Sequence, residues 1–344
     1  MFIPDFSQWQ SSAGTRPRAA AVARIGEDRP WLMVMAAVTA IELAWWAAVW
    51  LMGHAPAPYL LTYIGLSFAG LGSALILRAL LYPRAAPPNW WSVIPATLLV
   101  AIGASLFLPL KYAIPQIVPF WLDPLLASGE RAAFGGEPWL LIDRLAGWAI
   151  VPVDRLYGLW LPTQSLILFT IMIQPASAAK SRLLIAYVLT WSLLGVVSAL
   201  LLSSAGPIFH DRIFGGSEFA PLREMLDRRG AWVVLAESDR MWASLETGRP
   251  TIVAGISAAP SIHVAISVWI WLAARTMAPR LAPYALLYAL FMWVGSVQLG
   301  WHYVTDGLLG VLGVLAIWAL CGRSGVASSP IRATRGPPLR GSSR

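Results

Sequence analysis

The chain is poor in charge and almost without cysteine. Charged residues fill 12% of its 344 positions, about half of the roughly 25% usual for soluble domains. Cys321 is the single cysteine, which excludes an internal disulfide and a cysteine-based metal cluster. Its place near the end of an apolar run marks a packed thiol rather than a reactive one. Clusters of histidine and carboxylate at metal-ligand spacing are also missing. The segment from Met1 to Arg29 has no short apolar stretch followed by a small-residue cleavage site, so no cleaved signal peptide is expected. Neither an internal repeat nor the paired broken spans of a transporter are visible.

What the chain has is apolar surface: 58% hydrophobic residues, with 19 tryptophans. Apolar runs close to the length that crosses a bilayer, about 20 residues, recur throughout. The expected fold is all-α, a polytopic membrane helical bundle of about eight transmembrane helices. The spans fall near Trp31–Gly53, Tyr59–Leu81, Trp90–Leu110, Leu156–Ile173, Leu183–Ser204, Ile262–Arg275, Pro283–Leu299 and His302–Leu320, the sixth and seventh being short. Trp90, Trp91, Trp139, Trp148, Trp160 and Trp301 lie near span ends, as in an interfacial belt.

Basic residues set the orientation. Arg16, Arg18, Arg24, Arg29, Arg78, Arg84, Lys180, Arg182, Arg275, Arg280 and the arginines from Arg323 to Arg344 share one side with only Asp5, Glu27 and Asp28. The positive-inside rule makes that side cytoplasmic, with both termini on it. The net charge of +8 is thus a topology signal and a contact for lipid headgroups, not a nucleic-acid footprint. The organisation expected is a cytoplasmic arm over 1–30, N-terminal spans over 31–110, a catalytic membrane domain over 111–322 and a disordered cytoplasmic tail over 323–344. On the outer side, Trp139–Leu145 reads as an amphipathic helix in the interface. A second charged helical stretch lies within 217–247, and together the two can form a lid. The arginine- and alanine-rich composition fits a bacterial inner membrane, with the active region facing the periplasm.

Two motifs carry chemistry on that outer side: Pro260-Ser261-Ile262-His263, and His302-Tyr303-Val304-Thr305-Asp306. Each opens an apolar run, so each is expected at the first turn of a spanning helix, where free N–H groups and the positive dipole end suit a phosphate. His302 and Asp306 are four apart and so share a helix face. The carboxylate can accept the imidazole Nδ1–H and leave Nε2 as an oriented nucleophile or base. A protonated His263 can deliver a proton to a leaving alkoxide. The plainer alternative is a pair of interfacial histidines with local hydrogen bonds and Asp306 as a helix N-terminal charge.

Pro260-Ser261-Ile262-His263 resembles the P-S-x-H motif of the type-2 phosphatidic acid phosphatase superfamily, and Leu299–Asp306 resembles its last motif, x-H-Y-x-x-D. With Gly255–Ala259 and the turn Ser204-Ala205-Gly206-Pro207, the chain is most similar to the inositol phosphorylceramide synthase branch, to which sphingomyelin synthases are related. The resemblance covers roughly Lys111 to Leu320. It implies an integral membrane enzyme with a phosphohistidine intermediate: His302 attacks a lipid phosphate, Asp306 orients it and His263 protonates the leaving group. It implies no metal and no other cofactor. The partners are a lipid phosphate, an alcohol or lipid acceptor (water, for a simple phosphatase) and membrane lipids. The superfamily's S-R pair before the last histidine falls here on Gly295 and Ser296, and its K-x6-R-P motif only on Lys111 and Val118-Pro119. Both arginines are absent, as they are in the synthase branch.

Some cation must still stabilise a transferring phosphoryl group. The candidates are Lys111, Arg212 and Arg240, with Ser261 as a further substrate contact; each is equally readable as an ordinary loop or interfacial group. His210 is a weaker candidate contact. Asp123 and Asp143 read as helix caps or solvated charges. Glu42 lies inside the first span, where a charge is expensive, and calls for a partner on another span. The reading from a different class is a transporter or scaffold in which His263, His302 and Asp306 form a proton relay or a structural cluster.

Overall fold

The computed structural model describes residues 17–249, 251 and 255–323, with side chains from residue 28 onward. The stretch before residue 17 and the tail after Arg323 lie outside the described residues. The described chain is helical throughout and has no strand. Its order is α1 (Pro17–Leu51), α2 (Leu60–Leu81), α3 (Trp90–Ile117), α4 (Asp123–Phe134), α5 (Pro138–Ala146), α6 (Ile150–Tyr157), α7 (Trp160–Met172), α8 (Ala178–Leu189), a π-helical segment (Thr190–Ser198) and α9 (Ala199–Leu201). It continues with α10 (His210–Phe214), α11 (Ala220–Arg228), α12 (Trp232–Thr247), α13 (Ile262–Met277), α14 (Ala282–Gln298) and α15 (Val304–Arg323).

Six of these helical stretches are long and apolar enough to cross a membrane: Asp28–Leu51, Leu60–Leu81, Trp90–Ile117, Ala178–Leu201, Pro279–Gln298 and Val304–Arg323. The expected fourth and sixth spans, α7 and α13, are shorter apolar helices. The seventh is longer than expected, because a 3-10 turn at Pro279–Leu281 leads into α14. Short α13 is largely enclosed, with Trp269 fully buried and its Nε1 donating to the Leu183 carbonyl at 2.9 Å.

Water offers no driving force between helices inside a bilayer, so close packing and small residues must hold them. The glycines of α15 show how. An ideal Cβ at Gly310 would lie 2.5 Å from the Ser261 carbonyl oxygen, and one at Gly313 would lie 2.7 Å from Leu194 of the π-helical segment. Gly307 faces the Trp293 indole of α14, whose Nε1 donates to the Val304 carbonyl at 3.1 Å. The bare backbone of α15 is therefore the seam on which α13, α14 and the π-helical segment meet.

The opposite end of the bundle is tied by charge. Lys180 Nζ lies 3.0 Å from Asp28 Oδ1, both fully buried. Asp28 also accepts from Ser92 Oγ at 2.6 Å and Trp31 Nε1 at 2.8 Å. A buried pair of this kind is tolerable only because further hydrogen bonds satisfy it.

Gly310→Ala should lower the unfolding midpoint in detergent, despite the roughly 1 kcal/mol that Gly→Ala gains in helix propensity. Overpacking of about 1–3 kcal/mol outweighs that gain. Gly72→Ala, where a Cβ would meet no neighbour within 4 Å, should leave the midpoint unchanged or raise it. Equal responses of the two variants would refute the seam.

Candidate active site

Three loops meet at the end of the bundle where α13 and α15 begin. Ser261 caps α13, its Oγ accepting from Val264 N at 3.4 Å, and places His263 in the first turn. The Ser261 N–H donates to the Asp306 carbonyl at 2.9 Å, which joins the start of α13 to the first turn of α15. Ser296 Oγ, in the place of the missing pair, turns back on the Trp293 carbonyl, while the Ser296 carbonyl accepts from Trp301 N and His302 N at 3.0 and 3.3 Å.

His302 stands just before α15 rather than inside its first turn. The meeting of His302 and Asp306 therefore comes from a turn, not from one helix face. Nδ1 of His302 lies 3.5 Å from Asp306 Oδ2, within pairing distance but outside hydrogen-bond geometry. Asp306 Oδ2 instead accepts from Tyr303 N at 2.9 Å, and its side chain is fully buried.

The His263 and His302 rings are 5.7 Å apart between centroids. His263 lies against Trp160 at 4.3 Å and stacks on Tyr157 at 5.2 Å, and Trp160 Nε1 donates to the His263 carbonyl at 3.2 Å. Its Nδ1 has no hydrogen-bond partner among the described residues. Neither Trp160 nor Tyr157 announces this role in the sequence. Trp160 and Trp139 are buried, unlike the exposed Trp90, Trp91 and Trp148, so the expected interfacial belt loses two of its members to the interior.

The remaining loop, 203–208, is shaped by Asp123. Its carboxylate accepts from Ala205 N at 2.9 Å, Gly206 N at 2.7 Å and Ser204 Oγ at 3.1 Å. Burial pushes this carboxyl above the usual range, against the pull of those three hydrogen bonds. The loop then clasps its neighbours: Ala258 N donates to the Ser204 carbonyl and Ile208 N to the Gly300 carbonyl. Gly206 has a φ of +93°, and a Cβ there would strike the Trp301 carbonyl. Only glycine satisfies both constraints.

Other carboxylates cap helices to which they do not belong. Glu130 of α4 accepts from Thr305 N at 2.6 Å and Thr305 Oγ1 at 2.8 Å, beside His302. Asp154 of α6 accepts from Val233 N and Val234 N at the start of α12, at 2.9 and 2.8 Å. Burial pushes the Asp154 carboxyl up, while these two bonds favour its charged form. Around the start of α15, Glu130 thus takes the Thr305 N–H and Asp306 the Tyr303 N–H, so these two donors are not open to a phosphate. Asp143 pairs with Arg229 at 2.7 Å rather than capping a helix.

Of the candidate cations, Lys111 makes no hydrogen bond or ion pair among the described residues and lies within electrostatic reach of His263. Gly255, with φ +109°, lets the 255–260 loop run against the lysine stem: a Cβ there would sit 3.2 Å from Lys111 Cβ and Cγ. Arg212 is engaged by Asp239 at 2.5 Å and lies over the Trp242 ring. Arg240 sits in an exposed pair with Glu237 at 2.7 Å. No contact brings either arginine to the two histidines. His210 is buried against Phe219 and Phe214, and its Nε2 has no hydrogen-bond partner among the described residues. No group of three or more His, Cys, Asp or Glu side chains among the described residues is placed to hold a metal ion.

The chemistry that this geometry supports is nucleophilic and acid–base work by two imidazoles beside one buried carboxylate and one free ammonium. The family profile described as PAP2 superfamily matches residues 124–320, more than half of the chain. No curated protein and no solved structure gives a significant match.

Asp123→Ala should strand the buried Ala205 and Gly206 N–H groups. At about 1–3 kcal/mol for each of these two unsatisfied donors, it should lower unfolding stability by about 2–6 kcal/mol and open 203–210 to protease. Asp123→Asn, which keeps one acceptor oxygen, should fall between. Protection of 203–210 equal to wild type in the alanine variant would rule out the tether.

Proposed function

Because the chain belongs to the PAP2 superfamily, a group whose membership suggests lipid phosphatase or phosphotransferase chemistry, we propose that it is an integral membrane phosphotransferase. It transfers a phosphorylated headgroup between lipids through a phosphohistidine, in the manner of the inositol phosphorylceramide synthase branch. The observation that carries this reading is the facing pair His263 and His302, 5.7 Å apart, with Asp306 behind the second ring.

In the first step Nε2 of His302 attacks phosphorus, forming the N–P bond while the bond to the leaving oxygen breaks. His263 gives that oxygen its proton. Asp306, behind Nδ1, stabilises the positive charge that develops on His302. In the second step the acceptor hydroxyl loses its proton to His263, its oxygen forms the new bond to phosphorus, and the N–P bond breaks. His263 is thereby reprotonated and His302 is free again. Lys111 faces the charge on the phosphoryl oxygens. The basic residues at the opposite end favour a cytoplasmic placement of that end and of both termini. The site then faces the periplasm of a bacterial inner membrane, within reach of headgroups in the outer leaflet.

Protein in liposomes with phosphate-labelled lipids should move label into a second lipid when alcohol acceptors are present. His302→Ala should reduce this by about 10³-fold or more, the upper part of the range for loss of a catalytic group. Free phosphate alone would identify a hydrolase. Turnover indifferent to the substitution would sink the nucleophile assignment and favour the transporter or scaffold reading. Lys111→Ala should cost about 10²-fold, typical of losing one transition-state contact, and Lys111→Arg much less.

Because one imidazole must carry a proton while the other is neutral, turnover should be bell-shaped in pH. A flat profile under conditions where chemistry limits the rate would contradict these roles. Vanadate, which resembles pentacoordinate phosphate, should inhibit; undiminished activity at saturating vanadate would argue against the phosphohistidine.

A further inference from the structure

Away from the histidines, a cavity of about 570 Å³ lies among α1, α2, α3, α7 and the π-helical segment. Its volume is that of a single small-ligand site, about 300–1,000 Å³, with room for one hydrocarbon chain rather than a two-chain lipid. Two lining residues, Leu66 and Leu161, are 51% and 48% exposed, so the cavity opens sideways where the bilayer would be. Most of the wall is apolar. Polar side chains also line it, and Glu42, Thr39 and Ser192 are among them.

Glu42 stands nine residues before the end of α1 at Leu51, or about 13 Å along the axis at 1.5 Å per residue. That is well inside the apolar stretch. An ionisable side chain at that depth is costly and marks a functional site by default. Ser192 Oγ donates to Glu42 Oε1 at 2.5 Å, which gives Glu42 the cross-span partner that its burial demands. Its other oxygen has no hydrogen bond among the described residues and lies beside Gly103, whose missing side chain leaves the space open.

A second feature points to the same place. Ser192 and the neighbouring Trp191 lie in a π-helical run of nine residues. Such runs are rare, poor in stability and concentrated at functional sites. Here the widened turn delivers both side chains to the cavity wall.

We propose that this cavity is a binding site for a single-chain lipid alcohol, its hydrocarbon chain along the apolar walls and its hydroxyl donating to the open oxygen of Glu42. A plain acyl chain would leave that carboxyl unsatisfied. An ammonium would have to carry a full charge to the same depth, where a neutral hydroxyl costs far less. The hydroxyl can also accept a hydrogen bond, and Thr39 lies on that wall to supply one. The site is separate from the phosphoryl-transfer centre and does not depend on the proposed activity. The two are nevertheless neighbours, since Trp191 lies 5.8 Å from Trp160, which packs on His263.

The test is photolabelling of the purified full-length protein in nanodiscs. The probe is a hexadecanol bearing a mid-chain diazirine and a terminal alkyne. Label should concentrate on the peptides holding Thr39–Glu42 and Leu161–Phe169. Unlabelled hexadecanol should suppress it, while hexadecane should not. Glu42→Leu should lower it by about fivefold, the worth of one hydrogen bond. Gly103→Leu, which fills the cavity, should lower it at least as far.

Label spread evenly over the lipid-facing helices would overturn the proposal. So would competition by hexadecane equal to that of hexadecanol, or labelling unchanged in both variants. Hexadecylamine competing better than the alcohol would overturn the choice of ligand. Should a variant fail to fold, the competition series on wild-type protein decides. Because the readout is labelling, failure here leaves phosphoryl transfer untouched, and a protein inactive towards lipid phosphates could still bind the probe.

Discussion

The crossing of α13 and α15 is the contact on which the rest of the site depends. It rests on one missing side chain and one backbone hydrogen bond. Gly310 lets the Ser261 carbonyl approach to a distance no Cβ would allow, and the Ser261 N–H answers the Asp306 carbonyl at 2.9 Å. These contacts fix the start of one helix against the first turn of the other. His263 and His302 then face each other although 39 positions separate them in the chain. No side-chain contact could substitute, since a larger residue at 310 would drive the two backbones apart and the imidazoles with them.

Around that crossing the protein uses carboxylates as fasteners. Asp123, Glu130, Asp154 and Asp211 each satisfy backbone N–H groups of another segment. The helices beyond the membrane-length spans are short, and short helices have a large share of unsatisfied end groups. Capping them from outside serves two ends. It pays the cost of those buried N–H donors, and it ties each helix to a specific neighbour. Glu130 is the most consequential case, because it fixes Thr305, three residues after His302, by taking one of the N–H groups that open α15.

How much of this was readable beforehand follows from which forces are local. The helical membrane bundle was legible because hydropathy over about 20 residues is a local property. The two histidine motifs stand out in the sequence because each is a short local pattern, and the fold brings His263 and His302 to 5.7 Å of each other. The position of His302 is less legible: spacing of four suggests a helix face, whereas the backbone enters α15 only at Val304. Trp160 and Trp139 look interfacial because distance from a span end is a local property, while their burial depends on α7 and α5 turning inward. The capping carboxylates were illegible for the same reason. An aspartate that serves a helix some eighty residues away looks in sequence like any solvated charge, and Arg212 and Arg240 look free until their acidic neighbours are placed. Glu42 showed the opposite pattern, its cost evident from the sequence and its partner, Ser192, visible only in three dimensions.

The distribution of charge narrows how a phosphate is held. Asp306 and Glu130 flank His302, and Asp123 lies behind the adjoining loop. Left alone, these carboxylates would repel a phosphate from His302, the proposed nucleophile. The superfamily arginine at the place of Ser296 is absent, and that residue uses its hydroxyl and its carbonyl to hold backbone instead. Arg212 and Arg240 are neutralised by Asp239 and Glu237. Lys111 remains: an ammonium with no partner among the described residues, on the helix that ends beside these loops, its stem covered by the backbone at Gly255. A lysine offers a point charge where arginine offers a planar fork. A site built on it would hold phosphoryl oxygens with less geometric restraint, as suits the proposed transfer of a headgroup between lipids.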